Sequence, residues 1–79
     1  MLPISEVIKN LILEYIEEPE HLVIEEESGE NTILIRVKTI KNDLAKIIGR
    51  NGRNINALNV LVNAIASKRK IRVNLHVIN

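Results

Sequence analysis

A chain of 79 residues with a formal charge of +1 builds one domain around one modest core. It has no Cys, which excludes disulfides, thiolate nucleophiles and Cys-based zinc sites. It also has no Phe, no Trp and a single Tyr, so the core must be aliphatic and bases cannot be stacked on a platform of aromatic rings. No apolar run approaches the ~18–20 residues of a membrane span. The opening Met1-Leu2-Pro3-Ile4-Ser5-Glu6 lacks the basic start and continuous apolar stretch of a signal peptide. A cytoplasmic protein of modest stability, ~3–6 kcal/mol, is expected.

The small net charge conceals an asymmetry. Residues 1–35 carry nine acids and one base, and residues 36–79 carry ten bases and one acid, Asp43, giving halves of −8 and +9. Such a split predicts a basic face for a polyanion with an acidic face turned away from it. The alternative is two solvated faces that attract each other within the fold.

In chain order, Ile4, Val7, Ile8, Leu11, Ile12, Tyr15 and Ile16 recur at helical spacing. The helix can start near Pro3 or Ser5, Glu18-Pro19-Glu20 ends it, and Tyr15 belongs to its buried or interface stripe. Leu22-Val23-Ile24 runs into Glu25-Glu26-Glu27, then a turn at Ser28-Gly29-Glu30-Asn31, then alternation from Thr32 to Lys38: a β-hairpin. The acids at its end read as solvated side chains, because successive strand residues alternate faces and no His or Asp converges on them to hold Mg²⁺. Asn42 is a candidate N-cap for a short helix carrying Leu44, Ile47 and Ile48. After a glycine-containing break, a second helix places Ile55, Leu58, Leu61, Val62, Ile65 and Ala66 on one stripe. Lys68-Arg69-Lys70 suits the negative end of that helix, with a nucleic-acid contact as the other reading. Ile71, Val73, Leu75 and Val77 then alternate as a final strand. The order is α-β-β-α-α-β, with no repeat and no interdomain linker.

The break between the last two helices carries most of the functional information. Ile48-Gly49-Arg50-Asn51-Gly52-Arg53-Asn54-Ile55 holds two of the three glycines, with Arg50 inside the turn and Arg53 just after it. Glycines three apart allow a tight turn with no Cβ where a ligand must come close. A helix N-terminus directly behind them offers amide hydrogens and the positive end of a dipole to phosphate.

This Ile-Ile-Gly-x-x-Gly-x-x-Ile run, between two amphipathic helices and after a β-hairpin, resembles a K homology (KH) domain of the type II topology. Within that family the chain looks like the small bacterial KH proteins of the KhpA type, over its whole length as one domain, 1–79. The resemblance implies an α+β fold, with a three-stranded mixed sheet covered on one face by three helices. It also implies single-stranded-RNA binding with low sequence specificity, about four nucleotides being held between the turn and a strand edge. Gly49 and Gly52 match the glycine pair that clamps the sugar-phosphate backbone, Arg50 and Asn51 the variable pair, and Ile48 and Ile55 the apolar flanks. Asn51 stands where many relatives carry Gln or Lys. Lys46, Arg50 and Arg53 would neutralise phosphates, and Leu44, Ile47 or Ile48 and Ile55 would form the groove floor. Arg36 and Lys38 would reach in from the second strand. The resemblance further implies pairing as a homodimer or with a larger KhpB-like KH-containing partner, and a role as RNA chaperone or post-transcriptional regulator linked to cell-envelope growth and cell shape.

Two other classes compete. One is a docking module whose KH fold has lost RNA binding, which an acidic or blocked turn would favour. The other is an enzyme, but no nucleophile–base pair or metal cluster is legible: His21 and His76 are far apart and have no Ser, Cys or paired carboxylate at catalytic spacing. No cofactor, metal, membrane or small-molecule substrate is expected.

Overall fold

The computed structural model describes residues 2–78. It comprises α1 (Ile4–Ile12), β1 (Val23–Ser28), β2 (Thr32–Lys38), α2 (Lys41–Ile48), α3 (Arg53–Lys68) and β3 (Arg72–Ile78). Single 3-10 turns lie at Pro19–His21 and Arg50–Gly52. The sheet order is β1-β2-β3: β1 pairs antiparallel with β2, and β3 pairs parallel with it. This is the predicted element order and the mixed three-stranded sheet of the type II KH fold.

The sheet has one covered and one open face because its strands alternate. Ile35, Val37, Val73 and Leu75 are buried with Ile4, Ile8 and Ile12 of α1, Ile47 of α2, and Leu58, Val62 and Ala66 of α3. Each fully buried aliphatic side chain contributes about 1.5–3 kcal/mol. The opposite face carries Arg36 and Lys38 beside Asn74 and His76. It also carries Glu25 and Glu27, which pair with Lys38 at 3.2 Å and Arg36 at 2.8 Å.

α1 is shorter than its apolar pattern predicts. Helical bonding stops at Ile12, the amides of Glu14 and Tyr15 tighten onto Leu11 and Ile12 carbonyls, and Tyr15 is 43% exposed rather than buried. The cause is tertiary. Asp43 on α2 is buried, and its carboxylate oxygens accept hydrogen bonds from the backbone N–H groups of Glu17 (3.1 Å) and Glu18 (2.9 Å), which draws this segment out of helical register. α2 begins at Lys41 with Ile40 as its capping residue, so Asn42 is not the N-cap. Leu61 is 47% exposed and does not join the α3 stripe in the core.

The C-terminus of α3 closes with crossed bonds from Lys70 N–H to Ser67 C=O (3.1 Å) and from Ile71 N–H to Ala66 C=O (3.2 Å). Lys70 takes the left-handed conformation, φ +59°, in the position glycine usually fills. The chain thereby reverses into β3.

Burial opposes ionisation of Asp43, but the Glu17 and Glu18 amides, with Lys46 and His21 nearby, outweigh it and hold the carboxyl below its ordinary 3.8. A lowered folded-state pKa contributes stability that is present above the unfolded value and lost as pH falls through the folded one. Asp43→Asn should therefore lower the thermal midpoint at neutral pH, and its difference from wild type should shrink as the pH drops below about 4. A gap that stays constant from neutral to acid pH in thermal melts would contradict this account.

Candidate nucleic-acid interface

The turn between α2 and α3 is built on positive-φ backbone that glycine adopts easily and Asn tolerates. Gly49 sits at φ +75°, ψ 171°, Asn51 at φ +56° and Gly52 at φ +73°, ψ 16°. The Gly52 N–H donates to the Gly49 carbonyl at 3.1 Å, closing the loop. A Cβ on Gly49 would come within 2.6 Å of the Asn54 side chain and 2.9 Å of its backbone nitrogen. Asn54 fills that space because its Nδ2 donates to the Lys46 carbonyl at 2.9 Å, tying the first turn of α3 to the last turn of α2.

Gly52 caps α3, and no side chain caps it. The Arg53 N–H donates to the Arg50 carbonyl, and the positive end of the helix dipole lies directly behind the turn. Arg50, Asn51 and Arg53 are exposed around them. Neither Arg50 nor Arg53 has an acidic partner among the described residues.

An open groove of about 710 Å³ runs between α3 and β3. Asn56, Asn59, Val60, Asn63 and Ser67 form its helical wall, and residues 71–74 form the strand wall. Its near end lies beside the turn, since a methyl on Gly52 would lie 3.8 Å from Asn56 Nδ2. Its far end reaches Arg72, next to the basic run Lys68–Lys70.

Not every residue singled out from the sequence meets here. Gly49, Arg50, Asn51, Gly52 and Arg53 form the turn, with half-buried Ile48 and Ile55 on either side. Lys46 is one turn earlier on α2 and pairs with Glu17 at 2.6 Å. Leu44 and Ile47 are 7% and 1% exposed, so they support the helices from within and do not form a floor. Arg36 and Lys38 lie on the central strand, on the sheet face away from the helices, each paired with a β1 glutamate. The structure does not bring them to the turn, because the strand beside the groove is β3. Among the described residues the acidic and basic halves thus meet at three ion pairs, and the expected segregation of charge holds only for the remaining cations. Asn54, Asn59 and Asn63 were not singled out. Their signal is faint, an excess of Asn along α3 in the register Asn56, Asn59, Asn63.

A type II KH fold with an exposed glycine-paired turn defines the class of the protein. The family model for the KhpA/KhpB KH domain matches residues 5–77. The chain belongs to this family. It is 38% identical over 71 residues, 90% of this chain and 86% of the relative, to the RNA-binding protein KhpA of Chlamydia pneumoniae. It is 32% identical over 74 residues, 94% of this chain and 99% of the relative, to the RNA-binding protein KhpA of Caldanaerobacter subterraneus. Among solved structures, Era in complex with MgGDPNP and nucleotides of 16S ribosomal RNA superposes with a TM-score of 0.63 at 16% identity, over 96% of this chain and 30% of that one. That likeness shows the fold alone.

Proposed function

We propose that this chain is a cytoplasmic protein that binds single-stranded RNA as one KH domain, clamping about four nucleotides at the Gly49–Arg53 turn. One observation carries the reading: a helix N-terminus without a side-chain cap, reached through two glycines of positive φ, is flanked by two arginines that have no acidic partner among the described residues, with a groove beside the same helix. Its relatives are named for binding RNA. Gly49 and Gly52 let the sugar-phosphate backbone approach, Arg50 and Arg53 neutralise phosphates, Asn51 offers an amide, and Ile48 and Ile55 shape the mouth of the groove. Lys46 joins them when a phosphate displaces Glu17; an exposed ion pair is worth only about 0–1 kcal/mol, so the exchange is easy. Arg36 and Lys38 add general positive potential from the open face, and Leu44 acts through packing.

The chain is a binding protein and not an enzyme. A single short groove gives weak affinity, so two linked grooves, in a homodimer or with a KhpB-like partner, would raise it through effective concentration. Exposed Leu61 on α3 offers a surface for such pairing. A role as RNA chaperone or post-transcriptional regulator in cell-envelope growth and cell shape rests on family membership. The second reading, a protein-docking module without RNA binding, is favoured by the same Leu61 surface. Anisotropy of a labelled RNA octamer at about 50 and 200 mM salt separates them. Phosphate clamping by Arg50, Arg53 and Lys46 predicts a log–log salt slope of about −2, at roughly 0.7 per contact for single strands. No binding at either salt would leave the docking module.

A further inference from the structure

The groove has a hydrogen-bonding order that its amides impose on one another. Asn63 Oδ1 accepts the Val73 N–H at 2.9 Å, and Asn63 Nδ2 donates to the Val73 carbonyl at 3.0 Å. This two-point clasp on the N–H and C=O of one residue determines which end of the Asn63 amide is oxygen, since the reverse would set donor against donor and acceptor against acceptor. The remaining hydrogen on Nδ2 faces Asn59, one helical turn earlier, reaching its backbone carbonyl at 3.0 Å and its Oδ1 at 3.2 Å. Asn59 must therefore turn its oxygen to Asn63 and its NH₂ away. Asn59 lines the groove, and its Nδ2 donates to no other described residue.

Resting on the reading of the turn as an RNA clamp, we infer that Asn59 reads a base in this groove, with Asn63 as its positioning residue. With a phosphate held at Gly49–Arg53, the strand runs along α3, and an unstacked base turned toward the helix meets the Asn59 NH₂. That group donates to an acceptor on the base edge, a keto oxygen or a ring nitrogen. One base read in a groove of about four nucleotides leaves the overall sequence specificity low.

The test is a cycle between residue and base. A mixed-sequence RNA octamer is made with each position abasic in turn, and its binding is measured to wild type, Asn59→Ala and Asn63→Asp, all checked for folding by circular dichroism. Wild type should lose roughly three- to ten-fold at one position, as for one lost hydrogen bond. Asn59→Ala should bind the intact RNA more weakly by that factor, with no further loss at that position and unchanged losses elsewhere. Asn63→Asp keeps an acceptor for the Val73 N–H and removes the donor to Asn59, so it should silence the same position. Losses that simply multiply at every position would overturn the role of Asn59. An Asn63→Asp variant that keeps the full wild-type loss at that position, however weakly its new charge makes it bind overall, would reduce Asn63 to a structural residue. Wild-type binding that survives Arg50→Asp/Asn51→Asp would instead overturn the clamp on which the inference rests.

Discussion

Replacing Arg50 and Asn51 together by Asp should abolish RNA binding while leaving the fold standing. Both side chains are exposed and neither takes part in a hydrogen bond that holds the domain. Asn51 occupies left-handed backbone at φ +56°, which Asp tolerates nearly as well as Asn. Folding free energy should change by no more than about 1 kcal/mol. At the site the change is severe, because a phosphate that met a guanidinium would meet two carboxylates. Like charges forced together at an interface cost several kcal/mol, so affinity should fall by more than about 100-fold. Anisotropy with labelled RNA, beside circular dichroism and a thermal melt, checks both halves. An unfolded double variant would make the turn a structural element, and unchanged binding would place the RNA elsewhere.

Gly49→Ala should be the most damaging of the glycine changes and should harm fold and site together. At φ +75°, ψ 171°, Gly49 lies in a region that is essentially closed to side chains. Its new methyl would also meet the Asn54 backbone nitrogen at 2.9 Å, which cannot swing aside as a flexible side-chain tip can. A cost of about 2–4 kcal/mol is expected, a large share of the stability of a domain this small. Gly52 is different. It is left-handed at φ +73°, ψ 16°, and a Cβ there has its nearest neighbour at 3.8 Å, so Gly52→Ala should cost only about 1–2 kcal/mol. Urea unfolding of the two variants side by side measures the difference, and equal losses would contradict the steric account.

The parts of this molecule that were legible in its sequence depend on local periodicity. Helical spacing marked α2 and α3, alternation marked β2 and β3, and the glycine pair marked a turn whose left-handed backbone the structure displays. What was missed depends on contacts between distant segments. The apolar pattern of α1 runs on to Ile16, yet the helix stops at Ile12 because Asp43, some 25 residues away, takes the amides of Glu17 and Glu18. No local rule gives a buried acid two backbone donors from another segment. The strand wall was expected on β2, but β2 is the central strand of the sheet and the strand that lines the groove beside α3 is β3. The amide chain Asn59–Asn63–Val73 was invisible for the same reason. An Asn on a helix reads as a solvated residue until the strand that it clasps is in place.

The location of the RNA on this surface is most directly tested by amide chemical-shift mapping of the labelled protein during titration with a single-stranded octamer. The account predicts that shifts concentrate on residues 49–53 and continue along the α3 face of Asn56, Asn59 and Asn63. Shifts confined to the open sheet face around Arg36, Lys38 and His76, with the turn unmoved, would contradict it.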